Sequence, residues 1–407
     1  MSDARKKPAQ NSSSRVRNWS GPSVLSFGYR PFFLVASVWA LLAMALWLLA
    51  LAGVPVLGSR FDPITWHAHE MLFGYLGAAL AGFMLTAVPN WTGRLPVLGW
   101  PLAGLVAIWG AGRLAVATSS LMSPYLTAAA DVAFPLALFV LILREVAAGR
   151  SWKNLPLLAL FGFFILGNML FHVDAAQGRF AANGVGMRLG VATAIMLISL
   201  VGGRVIPSFT RNWLVKAGRA ALPAAFGIID KLVLISTALA LFIWTVFPSS
   251  PLISELFILV GMGQLVRLMR WRSWAVRQEP LLWVLHAGYL FVPLGFLALG
   301  LSGLSTGLVP FLGALHLWMA GGIGIMTLAI ISRASLAHAG KPLHASPRLA
   351  MAYNLVLLSV LLRFLAAYPV GNGWAAHISA ILWLAGYALF TWHFWPIWMA
   401  KPVARRF

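Results

Sequence analysis

Cysteine is absent from this 407-residue chain, and with it go disulfides, thiolate metal sites and iron–sulfur clusters. Soft-metal or haem ligation would then fall to histidine, of which there are nine. Acidic residues are as scarce, 9 against 30 Lys and Arg, and charged residues of both signs make up only 10% of the chain. A soluble domain carries about 25%. With 60% of residues hydrophobic, too little polar surface remains to coat a water-soluble particle, which excludes a soluble globular fold. Long polar connections are missing as well, so there is no room for a soluble domain between apolar runs.

What is present is a series of apolar runs, each near the roughly 20 residues that cross a bilayer as a helix. They fall at Phe32 to Gly53, Trp66 to Pro89, Trp100 to Thr118, Pro124 to Leu143, Leu155 to His172, Gly186 to Ile206, Ala224 to Phe247, Leu252 to Leu268, Leu281 to Leu301, Leu308 to Ile331, Leu349 to Ala367 and Trp374 to Met399. The expected fold class is an all-α polytopic membrane protein of about twelve transmembrane helices. Residues 1–27 are expected to form a disordered basic cytoplasmic tail, Ser-rich over Met1 to Asn18 and too polar to offset the cost of ordering, without a signal-peptide cleavage pattern. Residues 28–407 then make one transmembrane domain.

Orientation follows from the bias of Lys and Arg toward cytoplasmic loops. With both termini in the cytoplasm, the opposite loops hold only Arg60 and Arg179. Arg113, Arg188 and Arg363 lie at outer span ends, Lys231 lies within the seventh span, and the rest of the 30 Lys and Arg are cytoplasmic. The formal charge of +21 is thereby explained by the membrane, with no nucleic-acid partner.

An ionisable group at membrane depth costs on the order of 2.5 to 3.5 kcal/mol on insertion scales and so marks a functional hypothesis. His67, His69 and Glu70 open the second span on the outer side, and His172 and Asp174 close the fifth. His377 lies one turn into the twelfth span and His316 farther into the tenth. Asp131 lies one to two turns into the fourth. Arg113, Arg188 and Arg363 are cations suited to haem propionates, or else they reach lipid headgroups. Toward the inner side lie His286, His393, the pair Asp230 and Lys231, read as a local charge pair or interfacial snorkelling, and the loop residues His338 and His344. Taken singly, a histidine near a helix end is an interfacial hydrogen-bonder. Five at similar depth point to a metal or haem site. His67 and His69 are two apart, about 200° on a regular helix. They share one metal only if the backbone after Asp62 and Pro63 is irregular; otherwise one faces inward and the other faces the loop or a second site.

Ala81 to Arg94 (AGFMLTAVPNWTGR), Leu200 to Leu214 (LVGGRVIPSFTRNWL) and Gly324 to Lys341 (GIMTLAIISRASLAHAGK) end the second, sixth and tenth spans in related ways. A recurrence every four helices would divide the chain into three four-helix units. Glycines such as Gly74, Gly77, Gly82, Gly321, Gly322 and Gly324 either let helices pack closely or leave space for a flat cofactor.

These motifs carry a resemblance. Gly28-Tyr29-Arg30-Pro31-Phe32-Phe33, Trp66-His67-Ala68-His69-Glu70-Met71-Leu72-Phe73-Gly74, Thr86 to Arg94 (TAVPNWTGR), Gly203 to Asn212 (GRVIPSFTRN) and His338-Ala339-Gly340 together resemble the NnrS family from about Phe27 to about Lys401, with HAHEM and NWTGR the specific segments. His338-Ala339-Gly340 stands where the family usually shows His-Thr-Gly. The resemblance implies a bacterial inner-membrane protein containing haem b and copper, linked to denitrification and to tolerance of nitric oxide. The architecture also resembles the main subunit of haem–copper oxidases, an analogy of fold alone. Those enzymes carry copper ligands on the sixth and seventh helices, where this chain has no histidine, so a binuclear centre in those places is excluded.

On this reading one histidine of the His67/His69 pair joins His316 as haem ligands, with Arg113, Arg188 and Arg363 as cofactor partners. The other histidine of the pair joins His172 on copper, with Asp62, Glu70 and Asp174 as acceptors that fix the rings. His377 is a further metal candidate. The competing functions are a transporter of a metal or small molecule that uses the outer histidines, and an assembly factor without a site of its own.

Overall fold

A computed structural model describes residues 19–304, 308–371 and 373–401. Its long helices are α1 (Tyr29–Leu51), α2 (Pro63–Thr92), α3 (Trp100–Ala117), α4 (Pro124–Ala148), α5 (Leu155–Ala176), α6 (Val185–Lys216), α7 (Ile228–Val246), α8 (Ile253–Met269), α9 (Pro280–Gly303), α10 (Phe311–Ala339), α11 (Pro347–Leu365) and α12 (Trp374–Met399), and no strand occurs among the described residues. Apart from α8, all of them, 11 in number, are long and apolar enough to cross a membrane. At 17 residues α8 is shorter, reaching ~25 Å at 1.5 Å per residue.

Hydrogen bonds between loops decide whether α8 crosses. At one end of the bundle, which we call the near end, the guanidinium of Arg30 in the first turn of α1 donates to the carbonyl of Ala400 after α12. There Gly99 N donates to Leu25 O at 2.8 Å, Ser151 Oγ to Trp91 O at 2.9 Å, Ala224 N to Arg270 O at 3.1 Å, and His344 Nδ1 lies 2.7 Å from Glu279 Oε2. At the far end Ser120 N donates to Gly58 O at 2.9 Å, Arg188 Nε to Thr245 O at 3.2 Å and Tyr368 Oη to Leu308 O at 3.0 Å. In these hydrogen bonds among the described residues, loops of one parity meet one another. Because Thr245 is at the far end and Arg270 at the near end, α8 must cross. The expected twelve helices are therefore present, most with ends within about five residues of the expected ones, but α6 runs on to Lys216 where Ile206 was expected and α10 to Ala339 where Ile331 was expected, because the polar near ends of these spans continue the helix beyond the apolar run.

Of the expected tail, residues 1–18 lie outside the described residues. Within residues 19–27, Ser20, Gly21 and Pro22 are exposed, Ser23–Ser26 forms a short 3-10 turn, and Leu25 and Ser26 are buried.

The recurrence every four spans has a backbone counterpart. The long helices α2, α6 and α10, of 30, 32 and 29 residues, each contain a π-helical segment: Glu70–Tyr75, Ile198–Gly202 and Leu317–Ile325. Such insertions widen a turn and re-aim side chains, and they concentrate at functional sites. These three helices touch one another in the middle of the bundle. Their glycines serve close approach. A Cβ on Gly82 would lie 2.5 Å from the Phe33 ring, one on Gly324 2.9 Å from Trp383, and one on Gly321 would overlap Phe291.

Of the two readings of Asp230 and Lys231, the local charge pair is corrected. Asp230 does not pair with Lys231, whose side chain is exposed, because their positions on α7 point apart. Asp230 Oδ1 instead accepts from Arg267 Nε at 2.9 Å and Oδ2 from Arg270 Nη1 at 3.1 Å. Arg267 is fully buried, donates to Ser199 O in the α6 π segment at 2.8 Å and to Tyr289 Oη at 2.9 Å, and meets Gly203, where any Cβ would collide with it. His286 is held by the hydroxyls of Thr210 and Ser273, both at 2.9 Å. Both ring nitrogens are thus engaged in structural hydrogen bonds.

Candidate metal centre and cofactor cavity

Asp62 caps α2, its Oδ1 accepting from Ile64 N and Thr65 N at 3.0 Å, and Pro63 occupies the first turn. Both features start a regular helix, and Pro63–His69 is α-helical. His67 and His69 therefore face different ways, as the regular-helix alternative requires, and each helps to build a separate site.

His69, the last residue before the α2 π segment, is fully buried. Its Nε2 lies 3.1 Å from Asp131 Oδ2 and 3.1 Å from Asn168 Oδ1, and its Nδ1 lies 3.1 Å from Glu70 Oε1. His172 Nε2 lies 2.9 Å from the same Asp131 Oδ2. One donor atom each from His69, Asp131 and His172 fall within 4.8 Å of one another, and all three residues are buried. Asn168 Nδ2 donates to Asp131 Oδ2 at 2.8 Å. Phe61 packs against both imidazoles, and Phe171 and Phe73 against His69.

Around this cluster Arg113 donates from Nη1 to Glu70 Oε2 at 2.7 Å and from Nη2 to Asp131 Oδ1, while Trp39 Nε1 donates to Glu70 Oε2 at 2.8 Å. Gly74 makes room for this, since a Cβ there would lie 2.5 Å from Arg113 Nη1 and 2.6 Å from Glu70 Oε2. Two buried carboxylates thus share one guanidinium. Buried charge is tolerated only when compensated, and both nitrogens of His69 face oxygens of carboxylates. A cation held by His69, His172 and Asp131 fits that donor set and that charge.

His67 lines a different space, a cavity of about 320 Å³ shared with His316 and Arg363 and within the usual size range of small-molecule sites. Apart from Asn183, Ser359, Ser379 and the Tyr75 hydroxyl, the remaining lining is apolar and includes Trp47, Trp383, Met44, Met71, Met187 and Met319. The His67 ring stacks on Trp47 with centroids 4.2 Å apart, and its Nδ1 is buried without a hydrogen-bond partner. His316 directly precedes the α10 π segment, and its Nδ1 lies 2.7 Å from Leu312 O. That carbonyl can only accept, so Nδ1 carries the proton and Nε2 keeps its lone pair. An orphaned imidazole nitrogen, a second imidazole with a free lone pair and an arginine in a mostly apolar cavity fit a flat, acid-bearing cofactor such as haem.

The other expected residues are placed elsewhere. Arg113 belongs to the carboxylate cluster. Arg188 donates to Thr245 O and to Asn183 O, the latter at 2.6 Å. His377 is exposed and lies 2.7 Å from Gly373 O in its own turn. Asp62 serves as a helix cap, and Asp174 pairs with Arg179 at 2.7 Å, which leaves Glu70 alone among the three expected acceptors against a ring nitrogen. Asn168 and Trp39 escaped the sequence reading. Asn168 carried a signal, an amide in an apolar span one turn before His172 and hence on its face. Trp39 carried none that separates it from interfacial tryptophans.

No curated protein matches the chain. The NnrS protein family matches it over residues 23–401, nearly the whole length, including both sites and the segments that end α2, α6 and α10. The chain therefore belongs to the NnrS family.

Proposed function

We propose that this protein is a haem- and copper-binding membrane protein of the bacterial inner membrane that handles nitric oxide or its metal–nitrosyl products. Family membership links it to nitric oxide. The observation that carries the finer reading is the divergence of His67 and His69 from one helical turn into two sites of different chemistry. In the cavity, His67 and His316 would hold haem as neutral imidazoles, with Arg363, which has no ion-pair or hydrogen-bond partner among the described residues, receiving a propionate. In the cluster, His69, His172 and Asp131 would hold copper, which favours imidazole when thiolate is absent. Asn168, Glu70 and Arg113 fix the rings and the carboxylate. Bound haem supplies an iron that takes nitric oxide, and copper supplies a one-electron couple.

His172→Ala tests the division of the histidines. Bound copper per protein, measured by elemental analysis, should fall at least about tenfold while haem stays at its wild-type level. If haem falls and copper stays stoichiometric, the two assignments are interchanged.

The orientation is part of the same proposal, with the near end in the cytoplasm as the Lys and Arg distribution requires. Reporter fusions after Lys153 and Arg277 should report the cytoplasm, and a fusion at Ser302 the outside. A reversed readout at any of the three contradicts it.

One observation favours a second reading. Met44, Met71, Met187 and Met319 line the cavity together with His67 and His316, and thioether with imidazole is a donor set for monovalent copper. A purified protein without a Soret band that still binds copper in a His316-dependent way would make the cavity a metal-uptake site.

A further inference from the structure

At the near end the three related segments that end α2, α6 and α10 line one cavity of about 510 Å³. Three cationic side chains come to it from separate parts of the chain: Lys153 ahead of α5, Arg204 on α6 and Arg333 on α10. Asn90 and Asn154 add amides, and no carboxylate lines it. Lys153 and Arg204 have no ion-pair or hydrogen-bond partner among the described residues. The Arg333 guanidinium lies over the Phe209 ring, 3.7 Å from its centroid, a contact that orients the fork without using its N–H donors. The carboxylate facing Arg333 is Glu279, the cap residue just ahead of α9. It is already engaged by Leu281 N at 3.1 Å, Ala345 N at 3.3 Å and His344 at 2.7 Å.

Three like charges around one cavity repel unless an anion joins them, and two arginine forks with a lysine match the oxygens of a phosphate group. The cavity does not end at the charges. Phe83, Leu157, Val201 and Ile330 also line a narrower apolar space of about 90 Å³ between α2, α5, α6 and α10, whose only polar lining residue is Thr327. A charged mouth leading into an apolar cleft between helices is the shape of a phospholipid, headgroup outward and acyl chain inward.

We propose that this near-end cavity is a phosphate-binding site, with Arg204, Arg333 and Lys153 holding the phosphate of an anionic lipid whose chain enters the apolar cleft. The site is distinct from the histidine sites and does not depend on the cofactors proposed for them. A soluble phosphate ester would use the same three cations but leave the cleft empty.

Native mass spectrometry of the full-length protein, stripped of lipid in detergent and titrated with phosphatidylglycerol or with glycerol 1-phosphate, separates these cases. The wild-type protein should retain one phosphatidylglycerol, Arg204→Gln should bind it about tenfold more weakly, and the double variant Arg204→Gln with Arg333→Gln weaker still. Arg204 is exposed and unpartnered, so its single substitution leaves the fold intact even if the double variant does not assemble. Arg211→Gln with Lys216→Gln removes two exposed cations outside the cavity and should bind as wild type. Binding of glycerol 1-phosphate as tight as that of the lipid, with the same loss in Arg204→Gln, would keep the phosphate site and assign it a soluble ester. Equal retention in wild type and Arg204→Gln, or an equal loss in the Arg211/Lys216 control, overturns the proposal.

Discussion

Replacing His316 with Ala is expected to remove the Soret band from the purified protein, with retained haem falling at least about tenfold, since perturbing even an outer partner of a metal ligand costs 10- to 100-fold. The substitution is mild for the fold. Among the described residues the one hydrogen bond of His316 goes to Leu312 O in its own helix, so the variant should insert and purify as wild type. His377→Ala, on an exposed side chain outside the cavity, should leave the spectrum unchanged. Absorbance spectra with a haem extraction assay read both. Wild-type haem content in His316→Ala would remove His316 as a ligand, and loss of haem in His377→Ala would mean that the cavity has been assigned to the wrong histidines.

The largest effect on stability is expected from Arg113→Ala. Among the described residues Arg113 is the one guanidinium bonded to both Glu70 and Asp131, and those carboxylates are 0% and 1% exposed. Removing one partner of a buried pair leaves an uncompensated charge and costs about 3 to 5 kcal/mol. Here two carboxylates lose their cation together. Trp39→Phe removes a single donor to Glu70 and should cost about 1 kcal/mol. Thermal unfolding in detergent, followed by intrinsic fluorescence, should therefore rank wild type above Trp39→Phe and both far above Arg113→Ala. An Arg113→Ala protein as stable as the Trp39 variant would show that the carboxylates are not both charged in the folded state, which would undercut the charge balance that favours a bound cation.

Span number, most span ends and the helix that carries each histidine were legible in the sequence. Each depends on local properties: the length of an apolar run, the residues that start and stop a helix, and the charge of short loops. The pairing of α2, α6 and α10 was legible only as a faint recurrence. Its physical form, a π-helical segment in each of the three, depends on how those helices press against one another.

Partnership between helices was not legible. Arg113, Arg188 and Arg363 look alike in sequence, each a cation at a span end, yet only Arg363 lines the cavity. Arg113 reaches Glu70 and Asp131, while Arg188 reaches two backbone carbonyls. Asp230 was open to reading as the charge partner of Lys231 and is bound to Arg267 instead, because residues one apart on a helix point about 100° apart whereas a facing helix brings its side chain straight in.

By itself, then, the sequence determined an all-α membrane protein of twelve spans and placed His67, His69, His172, His316 and His377 toward the outer side of those spans as candidates. Hydropathy and helix periodicity are written residue by residue along the chain, so these features need no knowledge of what packs where. Only the tertiary structure decided that His67 joins His316 in the cavity, that His69 joins Asp131 and His172 in the cluster, and that Lys153, Arg204 and Arg333 share one cavity at the other end. The rotation of each helix about its axis is set by the fit of small and large side chains across helix contacts, as where Gly74 admits Arg113 and Gly82 admits Phe33, and that fit exists only once the bundle has formed.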